Sequence, residues 1–237
     1  MCREKAAPQR DVSLQESLSA AKQRNHRLKK LIFLLALALA TGAQAQDTVR
    51  LVHANYVSVF SKSLKYPVMV EWWVTKAKVT CTQPIPRKDD FQADPLLPEH
   101  TNLTKDYVGS GTDRGHMAPA ADNQCSGPKA MVESFYFSNM APQYGALNRG
   151  DWKTLEMNTR KMAAEQDSLH VWAGNVGETK RIGRVAVPAK CWKVIHIKKT
   201  NTWKAYIFNN DLSKADGIEN NEVKLAAVEK LTGLKFK

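Results

Sequence analysis

No stretch of this chain repeats itself and none is of low complexity, which removes solenoids, propellers and other arrays from consideration. No run of proline, glycine and serine divides it, so nothing marks a boundary between two folded parts. Cysteine is scarce, with four residues. Cys81, Cys125 and Cys191 have no second cysteine or histidine two to four positions away, so the spacing of a zinc site is missing. HExxH and GxSxG are absent, which weakens a reading as a secreted protease or phosphatase. Long apolar runs are also absent: the only candidate, Leu31 to Ala40, falls well short of the roughly 20 residues that cross a bilayer. Acidic residues are outnumbered 23 to 35, for a formal charge of +12.

The apolar run has a context. Arg27, Lys29 and Lys30 precede it, and Ala43-Gln44-Ala45 follows in the small-x-small pattern read by signal peptidase. This predicts a secretory signal peptide over residues 1–45, cleaved near Ala45. Residues 46–237 then form one domain, exported to the periplasm or outside the cell without stable membrane association. The charged stretch before the run is longer than such leaders carry, and translation from near Leu28 gives an ordinary length. The leader holds 8 basic and 3 acidic residues, so residues 46–237 keep a charge of +7. That surplus favours polyanions. Three cysteines remain there, enough for one disulfide and one free thiol. Sequence does not choose the pair, although Cys81 and Cys125 flank the motif described below.

Val49 to Phe60 and Tyr66 to Thr75 read as strands, being dense in Val, Tyr, Phe and Trp. Pro84, Pro86, Pro95 and Pro98 make residues 81–100 a long irregular loop. Glu133 to Ser138, Leu169 to Ala173, Cys191 to Ile197 and Trp203 to Phe208 read as strands. Residues from Leu147 or Asn148 to Gln166, and Glu219 to Leu231 before Gly233, read as helices. Strands that follow one another directly favour an α+β fold, a largely antiparallel central sheet flanked by helices.

The chemistry concentrates at Asp113-Arg114-Gly115-His116. Breaking a phosphodiester takes a base to deprotonate water, positive charge on the transition state, and stabilisation of the leaving oxygen. His116 can be the base, because an imidazole titrates near working pH. Arg114 offers a fork of donors to phosphate oxygens. Gly115 between them permits a backbone conformation closed to other residues. Downstream, Ser138-Asn139-Met140-Ala141-Pro142-Gln143 leads to Asn148, Trp152, Glu156 and Arg160. At four-residue spacing these share one helix face. A carboxamide, a carboxylate and a guanidinium on one stripe suit the wall of a site better than a core.

The stretch from Asp113 to Lys161 resembles the DNA/RNA non-specific endonuclease family with the ββα-metal motif. Trp192 to Ile195 and Val228 to Leu234 resemble its later strand and C-terminal helix. The resemblance implies Mg²⁺ (with Mn²⁺ as substitute), DNA and RNA as substrates, and products carrying 5′-phosphate. It implies that His116 activates the attacking water and that Asn148 is the single direct protein ligand of the metal. Glu156 would hold metal-bound water. Arg114, Arg160 and, across a short gap in the proline-rich loop, Arg87 would face the phosphate. Asn139 would orient the site and Asp113 would be structural. Where the family often has Thr-Gly-Pro, this chain has Ala173-Gly174-Asn175, so a changed loop is expected there. A homodimer is compatible with the resemblance, and no feature of the sequence itself shows one. The competing class is a non-catalytic nucleic-acid-binding module, against which the complete His, Asn, Glu and Arg set argues. His53, His100, His170 and His196 stand without motifs and read as ordinary surface or core residues.

Overall fold

A computed structural model describes residues 47–213 and 216–236. The signal peptide, its cleavage point and the alternative start near Leu28 lie outside these residues. The frame is a seven-stranded sheet in the order β1-β2-β3-β6-β9-β10-β11. Its strands are β1 (Thr48–Val52), β2 (Tyr56–Ser61), β3 (Tyr66–Thr75), β6 (Ser168–Val176), β9 (Lys190–Ile197), β10 (Thr202–Asn209) and β11 (Glu222–Val223). Every neighbouring pair is antiparallel, as the α+β reading requires. Two ribbons stand apart from it: β4 (Asp113–His116) with β5 (Met140–Gln143), and β7 (Lys180–Ile182) with β8 (Val185–Val187).

Both faces of the sheet are covered, which is why its central strands are mostly apolar. Leu169, Val171, Ala173, Ile195 and Ile197 point to one face, where they pack with Trp152, Leu155 and Ala163 of the long helix Asp151–Gln166. Trp172, Trp192, Val194 and Ala205 point to the other, against Val228 of the helix Leu225–Thr232 and Phe236. The two sets alternate along β6 and β9, the period-2 pattern of a strand. Gly233 ends the last helix in the left-handed region, at φ 74°.

Several elements differ from their sequence reading. Residues 49–60 form two strands, because the chain turns between Val52 and Tyr56 to make a hairpin. Residues 133–138 are not a strand. Pro128 at the first helical position starts a helix that runs to Ser134, and a 3₁₀ turn follows at Phe137–Asn139. Phe135 packs with Ala120 and Met131, while Phe137 packs with Leu51 of β1 and Phe60 of β2, so the segment covers the sheet instead of joining it. Residues 219–231 hold a 3₁₀ turn and the short β11 before a helix that begins only at Leu225. The stretch 173–175 is not a loop: β6 runs through it to Val176. Gly174 fits there because a side chain would meet the Val68 carbonyl oxygen, and Asn175 bonds the Pro67 carbonyl oxygen at 2.8 Å. The long helix is also interrupted. A one-turn helix, Gly145–Asn148, ends at Arg149, and Gly150 (φ −98°, ψ −114°) separates it from Asp151. Asn148 therefore closes its own short turn and does not open the long helix.

Candidate active site

The short ribbon carries the central residues. Register pairs Asp113 with Gln143, Arg114 with Pro142, Gly115 with Ala141 and His116 with Met140. Strand alternation puts Arg114 and His116 on one face, Asp113 and Gly115 on the other. Gly115 has no positive φ, so backbone freedom is not what selects it. A side chain there would sit 2.0 Å from Gln143 Oε1, and Gln143 is fully buried. The glycine is needed for clearance, which corrects the sequence reading.

His116 is 8% exposed. Its ring lies 5.0 Å from Phe135, edge to face, and 5.7 Å from Phe91. Its Nε2 is buried without a hydrogen-bond partner among the described residues. This apolar cover, helped by the nearby charge of Arg87, pushes the imidazole down to about 3, while Asp89 opposes the shift. The ring is consequently neutral, the form that accepts a proton. Trp152 Nε1 donates to the His116 carbonyl oxygen at 3.1 Å and ties the ribbon to the long helix.

Asn148 is held from the other side of the ribbon. Its Nδ2 donates to Asp113 Oδ2 at 2.9 Å, and Arg149 Nη1 donates to Asp113 Oδ1 at 2.8 Å. With the amide nitrogen committed, Oδ1 is left as an acceptor. Asn139 is spent internally: its Oδ1 accepts from Ala118 N at 2.9 Å, and its Nδ2 donates to the carbonyl oxygens of Ala118 and Ser134 at 2.8 and 2.9 Å. It fixes the turn after His116 and has no atom left for a ligand.

Trp152, Glu156 and Arg160 do share a face of the long helix, with Asn148 set apart by the break at Gly150. Arg160 Nη1 donates to Asp122 Oδ1 at 3.1 Å, and Asp122 Oδ2 accepts from Trp72 Nε1 at 2.9 Å. Glu156 Oε1 lies 3.9 Å from Lys193 Nζ. Burial pushes the Glu156 carboxyl up and the Lys193 ammonium down, against their mutual attraction. Arg87, in the proline-rich loop, stands 5.5 Å over the Phe135 ring and acts electrostatically on both His116 and Glu156. Arg114 lies over the rings of Phe91 (5.1 Å) and Tyr107 (5.6 Å), and its Nε has no partner among the described residues.

Two participants escaped the sequence reading. Lys193 is 1% exposed, with its Nζ 4.0 Å over the Trp152 ring. It shares the parity of Ile195 and Ile197, which places a lysine on a core-facing position; that mismatch was the available signal. Asp122, 3% exposed, carries no comparable mark in its surroundings Ala120-Ala121-Asp122-Asn123. Cys81 and Cys125 form the disulfide, and Cys191 is free and buried. The four motif-free histidines make local contacts, such as His53 with Asp94 at 2.8 Å and His170 with Glu71 at 2.7 Å.

No three of His, Cys, Asp and Glu among the described residues gather closely enough to hold a metal ion. The donors on hand are the Asn148 amide oxygen and the Glu156 carboxylate. Few protein oxygens of this hard kind suit a divalent ion that keeps most of its water.

Residues 37–237 match the profile of a family described as DNA/RNA non-specific endonuclease. The mitochondrial nuclease EXOG of Homo sapiens is 31% identical over 219 residues, covering 83% of this chain and 57% of that protein. Nuclease C1 of Cunninghamella echinulata var. echinulata is 36% identical over 165 residues, covering 62% and 65%. The chain thus spans 57% to 65% of the length of these relatives. The crystal structure of an EndoG/EndoGI complex, described as showing the mechanism of EndoG inhibition, aligns with a TM-score of 0.70 at 30% identity, over 79% of this chain and 84% of that one. The curated relatives in Homo sapiens, Xenopus laevis and Schizosaccharomyces pombe are mitochondrial nucleases, which overturns the expectation of export to the periplasm or cell exterior.

Proposed function

Because the chain belongs to the DNA/RNA non-specific endonuclease family, we propose that it hydrolyses internal phosphodiester bonds of DNA and RNA without sequence preference. His116 is the general base. Asn148 is the protein ligand of Mg²⁺, and Mn²⁺ can replace it. The observation that supports this most is that one four-residue strand carries a buried, neutral imidazole at His116 and, at Asp113, the carboxylate that anchors the Asn148 carboxamide.

The bound ion would supply positive charge to the phosphate and the leaving oxygen. The remaining work belongs to the chain. His116 takes a proton from the attacking water as its oxygen bonds to phosphorus. The P–O3′ bond breaks, the 3′ oxygen takes a proton from water, His116 returns its own proton to solvent, and the products carry 5′-phosphate. Asp113 fixes which atom of Asn148 faces outward. Glu156 orders water, and Lys193 keeps a countercharge beside it. Arg87, Arg114 and Arg160 contribute positive charge along the phosphates. A polyanion arriving near His116 offsets the charge of Arg87 and raises the ring's basicity, so proton uptake is coupled to substrate binding. Recognition through phosphate and sugar accounts for indifference to base sequence.

Digestion of plasmid and of RNA with Mg²⁺, with EDTA, and with His116→Ala tests this. Cleavage lost in EDTA and in His116→Ala, with the fold intact, is expected. Binding without cleavage under all conditions would identify a non-catalytic nucleic-acid-binding module. More than a few per cent of the wild-type rate in His116→Ala would remove the imidazole from the mechanism.

A further inference from the structure

Beyond Arg160 the long helix forms one wall of a second cavity, of about 360 Å³. Lys78, Arg160 and Lys161 line it, together with Gln124 and the Cys81–Cys125 disulfide, and no carboxylate does. Lys78 is mounted on the single helical turn Lys76–Val79, where its ammonium donates only to the Trp73 carbonyl oxygen at 3.1 Å. Lys161 is exposed. Neither lysine forms a salt bridge among the described residues, and Arg160 commits only Nη1, to Asp122. The polar side chains lining the cavity are therefore two ammonium groups, a guanidinium and a carboxamide. Such a set selects an anion rich in oxygen acceptors.

We infer that this cavity is a subsite for a phosphate of the nucleic-acid backbone flanking the phosphate to be cleaved. The inference rests on the nuclease reading for the direction of the strand, since Arg160 is shared between the cavity and the site. Glu156 and Arg160 are one turn apart, about 6 Å along the helix axis. A strand engaged at Glu156 thus meets Arg160 next and then the two lysines. The disulfide makes the cavity rigid. It joins the segment that follows Lys78 to the segment that follows the 3₁₀ turn Ala120–Asn123, so two walls are fixed before any ligand arrives. Burial works against the half-buried Lys78 ammonium; Asp122, already bonded to Arg160 and Trp72, offsets part of that cost, and a phosphate would offset more.

The test is binding of a fluorescein-labelled single-stranded DNA of about 12 nucleotides to the full chain in EDTA. Affinity is followed by anisotropy from about 50 to about 200 mM salt. Lys78→Gln with Lys161→Gln should flatten the slope of log Kd against log salt by about 0.7 for each lysine that meets a phosphate. Lys78→Arg with Lys161→Arg should restore it. Inorganic phosphate as competitor separates the sources: weakening of wild-type binding that is lost in the glutamine variant, with equal salt slopes in both, would assign the cavity to free phosphate and overturn the backbone subsite. Equal slopes without competition would overturn it as well. A flattened slope in a protein that cuts neither plasmid nor RNA would leave the subsite standing and refute the nuclease reading.

Discussion

Replacing Gly115 by alanine should damage the protein through one identified collision. The new Cβ lies 2.0 Å from Gln143 Oε1, 2.5 Å from its Cδ and 2.7 Å from its Cγ. Ordinary contacts between such atoms are near 3.5 Å, so one side chain or one strand must move by more than an ångström. Gln143 has little room to yield. It is 0% exposed, and its Nε2 donates to Cys191 Sγ at 3.3 Å in a region that Asn175 also closes. Overpacking of this kind costs about 1–3 kcal/mol, and the lack of an escape route favours the upper half of that range. For a chain of this size, Tm should fall by roughly 4–12 °C. If β4 moves instead of Gln143, His116 moves with it, and a displacement near 1 Å costs about 100-fold in rate. The assay is a double-mutant cycle: urea unfolding followed by tryptophan fluorescence for wild type, Gly115→Ala, Gln143→Ala and the pair, with DNA hydrolysis measured on each. Gln143→Ala should absorb most of the Gly115→Ala penalty, giving a coupling of at least about 1 kcal/mol. An equal penalty in both backgrounds would refute the steric account and return the glycine to a conformational role.

The buried neutral His116 makes the fold sensitive to acid. Its ionisation is depressed in the folded chain to about 3, so the unfolded chain takes up the proton first as pH falls below about 6.5. Urea midpoints from pH 7 to pH 4.5 should show roughly 2–3 kcal/mol more loss in wild type than in His116→Leu; parallel curves would mean that the ring is charged when folded. Lys193→Met removes the countercharge of Glu156 and should lower the hydrolysis rate by about 10- to 100-fold. It should also move the acid limb of the pH–rate profile upward, whereas an unmoved limb would show that the lysine serves packing alone. Cys81→Ser with Cys125→Ser opens a loop of 44-residue separation and should cost about 4 kcal/mol in urea unfolding, with no further loss when reductant is added.

The candidate site residues could be proposed from sequence because their chemistry is local. Asp113 to His116 and the downstream Asn148, Glu156 and Arg160 are written as motifs, and the sheet follows from strands dense in Val, Tyr and Trp. The illegible parts depend on partners distant in sequence. Gly115 looks like a hinge until Gln143 is placed beside it. Lys193 stands at a core-facing position of β9, but its role beside Glu156 shows only once the long helix covers that face. Residues 133–138 have the composition of a strand, but Pro128 commits the chain to a helix that runs to Ser134. Spacing of four residues also overstated the helix, since Arg149 and Gly150 break it just after Asn148.

That break decouples two lengths. In an unbroken helix every inserted residue turns what lies beyond it by about 100°, and the carboxamide could keep its aim only if the count to Trp152, Glu156 and Arg160 never changed. Here the Gly145–Asn148 turn is bolted to β4 through Asp113, while the long helix is bolted to the same strand through Trp152 and the His116 carbonyl. Both parts take alignment from the strand, and Leu147 of the short turn also packs in one cluster with Trp152 and Leu155 of the long helix. The linker at Arg149–Gly150 can absorb a change in spacing that a continuous rod would pass straight to the candidate site residues.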